Sequence, residues 1–207
     1  AECLLVTPQL ESREAYRSEW ESNGITYRRI DTPESIEELN PDAVICSGSR
    51  ANVSMWEPWM DDAARVLQQA MAANIPVLGI CFGHQLLCKT LGGEVQRSKS
   101  KSTMISPLFS VGMDTLLSPI QMGLFTHQDE VTRLPPGARR IISTKHCENA
   151  GMRVAGKPVW GVQFHPEASR SVIEQAHADG DMNDVELAAF ENDHDGDELL
   201  SAFAQLC

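Results

Sequence analysis

Short apolar runs alternate along the first ninety residues with segments whose apolar positions recur at helical period. The runs that predict strands lie at residues 2–7, 24–30, 42–46 and 76–80. A polar helix through about Ser22 and a short helix opening at a Thr-Pro-Glu start signal, residues 32–34, separate the earlier runs. From residue 57, apolar residues recur at the period of a helix that packs on a sheet: Trp59, Ala63, Val66, Leu67, Ala70 and Met71. The alternation predicts an α/β fold with a doubly wound, mostly parallel sheet.

Beyond the Gly-Gly pair at residues 92–93, the pattern changes to short strands separated by turn signals. Strands are predicted at residues 94–96, 108–111, 123–125, 140–143, 152–155 and 159–164. The acidic residues 171–198 predict a solvated loop and a final amphipathic helix, whose apolar residues are Val185, Leu187, Phe190, Leu199, Leu200 and Phe203. Because no repeat, linker or low-complexity segment interrupts the pattern, we expect residues 1–207 to form one domain with a strand-rich second half.

The run at residues 76–80 ends at a Gly-Ile-Cys-Phe-Gly motif, residues 79–83, and a helical pattern follows at once. This is the layout of a nucleophile elbow, a sharp turn between a strand and a helix that exposes one side chain at the edge of the sheet. A cysteine at this position faces the amide end of the helix, which favours the thiolate. Taken alone, Cys81 could equally be a buried structural cysteine, the commoner fate of a lone cysteine.

A second segment favours catalysis. The apolar run from residue 159 ends in His-Pro-Glu, residues 165–167. In an extended chain, side chains two residues apart point the same way, so His165 and Glu167 are expected on one side. An imidazole oriented by a carboxylate is the proton acceptor and donor that a cysteine nucleophile needs.

The segments Gly-Ile-Cys-Phe-Gly-His-Gln (79–85) and Gly-Val-Gln-Phe-His-Pro-Glu (161–167) resemble the two signature motifs of class I, triad-type glutamine amidotransferases. The resemblance runs from the first strand to about residue 170 and implies the flavodoxin-like fold of that family. It implies a Cys-His-Glu triad that removes the side-chain amide of glutamine as ammonia. In this triad Cys81 is the nucleophile, His165 the general base and then acid, and Glu167 the residue that orients the imidazole.

Two further segments fit the same resemblance. The strand and small-residue loop at residues 44–50 resembles the loop that supplies an oxyanion-hole amide, from Gly48 or Ser49, with the Phe82 amide as the second donor. Residues 124–131 resemble a Ser-His-x-Asp segment beside the glutamine pocket. The resemblance therefore implies a set of substrate-binding residues: Gln85, Thr126, His127 and Asp129.

The chain departs from the family pattern after the elbow helix, because residues 97–106 lack the Glu-x-Gly element that many members carry. This predicts a rewired or mobile loop beside the pocket. No nucleotide-binding synthetase signature is present. We therefore expect ammonia to pass to a separate synthase chain, by analogy with the amidotransferase part of GMP synthases and free-standing relatives. Two alternatives remain open: a γ-glutamyl peptide or conjugate hydrolase with the same triad, and a non-catalytic interaction module on this scaffold.

Charge and composition limit the classes of partner and site that we expect for this chain. The chain has 17 basic and 29 acidic residues, a net charge of −12, which disfavours nucleic-acid binding and an anionic membrane surface. No apolar run approaches the length of a membrane helix, and six scattered cysteines show no disulfide or zinc spacing, so we expect a cytoplasmic enzyme. An acidic stretch from Glu191 to Ala202 lacks the closing glutamate of a calcium loop, so neither a metal nor a cofactor is predicted.

Overall fold

The computed structural model describes residues 1–5, 14–29 and 36–207. Three predicted boundaries lie outside these residues: the end of the first strand at residues 6–7, the end of the second at Ile30, and the helix start at residues 32–34.

The described residues contain strands and helices in an order that alternates in the first half of the chain. The strands are β1 (Glu2–Leu5), β2 (Thr26–Arg29), β3 (Ala43–Cys46), β4 (Val77–Ile80), β5 (Glu94–Pro107), β6 (Phe109–Ser110), β7 (Met122–Arg133), β8 (Ala138–Ser143), β9 (Gly151–Val154) and β10 (Val159–Val162). The helices are α1 (Glu14–Ser22), α2 (Ile36–Leu39), α3 (Pro58–Ala72), α4 (Phe82–Thr90), α5 (Arg170–Ala178), α6 (Asp184–Ala189) and α7 (Gly196–Leu206).

Eight strands form the main sheet, in the order β2-β1-β3-β4-β10-β9-β8-β6. The first five are mutually parallel, and β9, β8 and β6 continue the sheet in antiparallel pairing. The predicted α/β fold with a mostly parallel sheet is confirmed. Strand β10 comes late in the chain yet lies directly beside β4, so the carboxyl ends of these two strands meet at one edge of the sheet.

Both faces of the sheet are covered by helices. On β3, Val44 faces the core formed with α3 and α4, whereas Ile45 faces the core that contains Trp20 of α1 and Phe203 of α7. This alternation is expected, because successive side chains of a strand point to opposite faces. The apolar positions predicted for α3 are buried as expected, apart from a partly exposed Trp59.

The segment after the elbow helix is a strand and not a loop. Strand β5 runs from Glu94 to Pro107 and pairs with the slightly shorter β7 in a two-stranded ribbon, with an irregular register between Arg97 and Ser102. The prediction of a loop at residues 97–106 was wrong, because half of β5 is exposed to solvent and only Ser106 is buried, so the strand shows no apolar alternation. The prediction of a strand-rich second half is confirmed, since strands β5 to β10 lie between residues 94 and 162.

The acidic segment near the C-terminus also differs from expectation. Residues 171–198 contain most of α5, where a solvated loop was predicted, and the predicted final amphipathic helix is divided into α6 and α7. Asn183 caps α6 in a capping box with Glu186, so an acidic sequence still forms a helix. Val185 is exposed, whereas Phe190, Leu199, Leu200 and Phe203 are buried as predicted.

Candidate active site

Cys81 lies at the tip of a sharp turn between β4 and α4. Its φ of 51° and ψ of −104° place a non-glycine residue in a conformation that costs free energy, which is typical of functional sites. The amide of Cys81 donates to the carbonyl of Val162 at 2.8 Å, which ties the turn to the end of β10. The flanking glycines are required by close packing, because a Cβ on Gly83 would collide with the carbonyl oxygen of Cys46 and one on Gly79 would lie 2.7 Å from the Gly83 oxygen.

His165 and Glu167 meet beside this turn. The Nδ1 atom of His165 lies 2.6 Å from Oε1 of Glu167, and the amide of His165 donates to the Leu124 carbonyl at 2.8 Å. Strand β10 ends at Val162, a bend follows at residues 163–164 and a turn at residues 166–167, so His165 and Glu167 do not lie on the extended segment that was predicted. The turn at Pro166 brings the two side chains together instead.

The contact between His165 and Glu167 fixes the tautomer of the neutral imidazole. A carboxylate accepts, so in the neutral ring Nδ1 carries the hydrogen and Nε2 keeps a lone pair. Nε2 is buried and has no hydrogen-bond partner in the described part of the chain. Burial lowers the pKa of His165, but the negative charges of Glu167 and Cys81 raise it more, so this pKa stands well above its usual value.

The sulfur of Cys81 is held between two polar groups. Its thiol donates to the carbonyl oxygen of Thr126 at 3.7 Å, and the side-chain amide of Gln163 donates to the sulfur at 3.5 Å. Gln163 is fully buried, and its Oε1 accepts from Gln85 at 3.2 Å. The sequence offered one signal for Gln163, its position two residues before His165, but no role was predicted for it.

The small-residue loop after β3 lies against the imidazole. A Cβ on Gly48 would lie 2.8 Å from Cε1 of His165, so this position has no room for a side chain. Gly48, Ser49 and Phe82 line the same cavity as Cys81. Phe82 opens α4, where the first amide groups of a helix have no partner within it. Two amide-bearing segments thus line the cavity that contains Cys81.

Gln85 and Asp129 are buried, and both form hydrogen bonds with other groups of the protein. The side-chain nitrogen of Gln85 donates to the Asp129 carbonyl at 2.8 Å. The carboxylate of Asp129 accepts from the amide and from the hydroxyl of Ser54, each at 2.8 Å. Both residues line the cavity, together with Thr126 and His127, so all four predicted substrate-binding residues gather at one wall.

His127 is a buried, neutral imidazole. Nδ1 lies 2.8 Å from the Asp129 carbonyl oxygen, and Nε2 is buried with no partner among the residues described. Burial lowers the pKa of His127 to about 4. The ring therefore offers a lone pair on Nε2 near the cavity, and it stays uncharged at neutral pH.

A single cavity of about 320 Å³ connects these residues. The reactive end holds Cys81, Gly48, Thr126 and His165, and the far wall is formed by α5, the following turn and α6. Arg50 pairs there with Asp181, and Lys101 pairs with Glu186 at 2.7 Å. The sequence did not predict these two ion pairs, because each joins segments that are distant in the chain.

Metal centres and membrane spans are two other kinds of site. In the ranges that the structure describes, no group of three or more His, Cys, Asp or Glu side chains is placed to hold a metal ion. None of the described helices is long and apolar enough to span a membrane.

Sequence comparison identifies relatives of this chain. The family model for glutamine amidotransferase class-I matches residues 14–182. The chain is 30% identical over 179 residues to one subunit of the GMP synthase (glutamine-hydrolyzing) of Pyrococcus abyssi, covering 84% of this chain and 80% of that protein. It is 33% identical over 150 residues to GMP synthase (glutamine-hydrolyzing) of Clostridium novyi, covering 69% of this chain. It spans only 27% of the length of that synthase.

Solved structures of other proteins share the fold of this chain. A glutamine amidotransferase from Thermotoga maritima matches with a TM-score of 0.72 at 22% identity, covering 99% of this chain and 90% of that chain. A glutamine amidotransferase from Methylobacillus flagellatus matches with a TM-score of 0.74 at 18% identity and the same coverage of both chains.

Proposed function

Since the chain belongs to the class I glutamine amidotransferase family, we propose that it hydrolyses the side-chain amide of glutamine with Cys81, His165 and Glu167 as its triad. The observation that carries this proposal is the 2.6 Å contact between His165 Nδ1 and Glu167, which leaves the buried Nε2 with a lone pair in the cavity of Cys81. A nucleophile, a base and an orienting carboxylate are the parts of a cysteine hydrolase.

In the proposed reaction, Nε2 of His165 takes the proton of the Cys81 thiol. The raised pKa of His165 favours the resulting imidazolium, and Glu167 stabilises its charge. The thiolate attacks the amide carbon of glutamine and forms a tetrahedral intermediate whose oxygen carries a negative charge. When this intermediate collapses, the C–N bond breaks, His165 protonates the leaving nitrogen, and ammonia departs.

A γ-glutamyl thioester on Cys81 remains. His165 then takes a proton from water, and the hydroxide attacks the thioester carbon. The C–S bond breaks, and His165 returns the proton to the leaving sulfur, which gives glutamate and the free thiol. We assign the oxyanion hole of both steps to backbone amides of Gly48 or Ser49 and of Phe82, which line the cavity that contains Cys81.

The cavity suits a small substrate. Its volume of about 320 Å³ lies at the lower end of the range for small-molecule pockets, about 300–1,000 Å³, and so favours a single amino acid over a long γ-glutamyl conjugate. We assign contacts to the substrate amide to the Thr126–His127 segment. Gln85 and Asp129, whose side chains bind protein groups, are proposed to hold the wall of the pocket in place.

We further propose that residues 1–207 act as one amidotransferase domain and that the ammonia serves a synthase outside them. The GMP synthase subunit from Pyrococcus abyssi covers a similar length, and no nucleotide-binding synthetase motif lies in this sequence.

Labelling with the glutamine analogue 6-diazo-5-oxo-L-norleucine tests this function. We expect one adduct, mapped to Cys81 by peptide mass spectrometry, that excess glutamine blocks and Cys81→Ser abolishes. Glutamate release without a second protein would identify a free-standing enzyme, whereas labelling without turnover would indicate a required synthase. Protection by γ-glutamyl dipeptides but not by glutamine would support the hydrolase alternative. An unreactive Cys81 would support a non-catalytic module.

A further inference from the structure

The segment at residues 194–196, where α7 begins, packs against the turn that carries His165 and Glu167. Gly196 is buried, and a Cβ at this position would collide with the carbonyl oxygen of Pro166, which lies between those two residues. The segment follows residue 182, where the match to the family model ends. The contact with the turn therefore comes from a part of the chain outside that match.

His194 is hydrogen-bonded at both ring nitrogens. Nε2 lies 2.6 Å from the carbonyl oxygen of Ala168, and Nδ1 lies 3.1 Å from the amide nitrogen of Gly196. A carbonyl oxygen accepts and a backbone amide donates, so Nε2 carries the hydrogen and Nδ1 keeps the lone pair. Together the two bonds join the start of α7 to the residue that follows Glu167.

The bond from His194 to Ala168 is shorter than the bond within the turn. The Ala168 amide donates to the His165 carbonyl at 3.3 Å, which is long for a hydrogen bond of this kind. Because Ala168 is adjacent to Glu167, a shift of Ala168 also moves the carboxylate that lies 2.6 Å from Nδ1 of His165.

Asp195 fixes the same segment to strand β7. Its carboxylate accepts from two successive amides, at residues 121–122, each at 2.9 Å. Strand β7 also holds the catalytic turn, because the carbonyl of Leu124 accepts from the His165 amide at 2.8 Å. Residues 194–196 therefore fasten the turn and the strand beside it to each other.

We propose that His194 is a positioning residue for the triad, an inference that rests on the proposed glutamine hydrolysis. By donating from Nε2 to Ala168, His194 keeps Glu167 at the distance from His165 that orients the imidazole toward Cys81. Loss of this bond lets the carboxylate shift, and a displacement of about 1 Å in a catalytic constellation costs about 100-fold in rate.

Two substitutions separate the bond to the turn from the bond at the start of α7. A glutamine side chain places an amide nitrogen near the position of the imidazole Nε2, so His194→Gln retains the donor to Ala168 and loses the acceptor for Gly196. An asparagine side chain accepts from the backbone amide two residues further on, so His194→Asn retains the acceptor and loses the donor. Each variant keeps the bond that the other removes.

The rate at which 6-diazo-5-oxo-L-norleucine labels Cys81 is measured as a function of its concentration, so no synthase is needed. We expect His194→Asn to lower the limiting rate about 10- to 100-fold and to leave the half-saturating concentration unchanged. His194→Gln should keep the wild-type limiting rate and lose thermal stability, because α7 loses a bond at its first turn. The matched controls are His177→Asn and His177→Gln, outside the cavity lining, and these should change neither rate nor half-saturation.

A proton NMR signal of His165 gives a second readout that does not depend on reactivity. The Nδ1 hydrogen of an imidazole bonded to a carboxylate resonates far downfield, and its loss in Glu167→Gln identifies the signal. We expect this signal in wild type and in His194→Gln, and we expect it to be lost or shifted in His194→Asn.

A purely structural role gives a different result, because both His194 variants would then lose labelling rate in step with their stability. That outcome, or a wild-type rate and an unchanged His165 signal in His194→Asn, would overturn the inference and leave the proposed function intact. A wild-type Cys81 that the reagent fails to label would instead overturn the proposed function, and the His165 signal would then decide whether His194 positions the turn.

Discussion

Asp129 accepts two hydrogen bonds from Ser54, one from its amide and one from its hydroxyl, each at 2.8 Å. The two residues are 75 positions apart in the chain, and their contact fastens the loop after β3 to strand β7. The same loop carries Gly48 and Ser49, which we assign to the oxyanion hole. Asp129 is thus placed to act on the reaction through the position of this loop.

Asp129→Asn should slow glutamine hydrolysis, because the amide side chain retains one acceptor oxygen and the loop loses one of its two anchors. We expect kcat to fall about 10- to 100-fold, less than the effect of removing an oxyanion donor outright. Alkylation of Cys81 by iodoacetamide should change little, since the sulfur and its neighbours are untouched.

Asp114→Asn is the control for Asp129→Asn. Asp114 is also buried, but its carboxylate accepts from the amides of Leu116 and Leu117 and from the Trp160 indole, away from the cavity. This variant should lose stability and keep its kcat. Equal kcat losses in the two variants would contradict a specific role for Asp129.

Gly48→Ala should disable the triad with little loss of stability. The new methyl group would lie 2.8 Å from Cε1 of His165 and would displace the imidazole from Cys81. We expect kcat to fall at least about 100-fold, as small misplacements of catalytic groups do. Turnover of glutamine, measured beside thermal unfolding, checks this.

Gly156→Ala is the control for Gly48→Ala, because it should lower stability and leave activity unchanged. Gly156 has a φ of +71° and open space around its α-carbon, so alanine there costs about 1 kcal/mol of backbone strain without touching the site. A Gly48→Ala enzyme that retains full activity would exclude close packing of this loop on the catalytic imidazole.

The parts of the proposed site that are local in the chain were predicted from the sequence. Cys81 with its glycines, and His165 with Glu167, were predicted because each group lies within a few residues at the end of an apolar strand. The contacts of Asp129 with Ser54 and of Arg50 with Asp181 were not predictable, since each joins segments with no mutual sequence signal. The ribbon of β5 and β7 was missed for a related reason, because half of β5 is exposed to solvent and this strand carries no apolar period.

Glu167→Gln should lower the pKa of His165. The Glu167 carboxylate and Cys81 raise this pKa against the effect of burial, and removal of a close opposite charge typically changes a pKa by about 1 to 3. An NMR titration of the His165 ring in both enzymes measures the change. An unchanged His165 titration would show that Glu167 does not stabilise the imidazolium.

The same variant should alter how stability depends on pH. A histidine whose pKa is raised on folding stabilises the protein fully below its unfolded pKa, near 6.5, and this contribution is lost as pH rises through the folded pKa. The difference in unfolding free energy between wild type and Glu167→Gln should therefore be larger at pH 6 than at pH 9. A constant difference would contradict the pairing.

His84 should make the protein sensitive to acid. Burial lowers the pKa of this fully buried histidine to about 4, and its Nε2 donates to the Asn149 carbonyl at 2.9 Å. Between pH 6.5 and 4 the unfolded chain binds a proton that the folded chain does not, so stability falls by about 3 kcal/mol over this range.

His84→Gln, whose side-chain amide can still donate to Asn149, should flatten that part of the stability curve. His177→Gln is the control, because His177 is partly exposed and pairs with the exposed Asp184. Denaturant unfolding at several pH values measures both. The prediction is wrong if wild type and His84→Gln lose stability in parallel between pH 6.5 and 4.

The most direct test of the triad is to trap the covalent intermediate. Wild-type enzyme is mixed with glutamine, with the cognate synthase present if turnover requires it, quenched in acid within milliseconds to seconds, and digested for mass spectrometry. We predict a γ-glutamyl group on the Cys81 peptide, formed and consumed as glutamate and ammonia appear in equal amounts, and absent in Cys81→Ser. Glutamate production by Cys81→Ser at the wild-type rate, or an adduct on another residue, would contradict the assignment of Cys81 as the nucleophile.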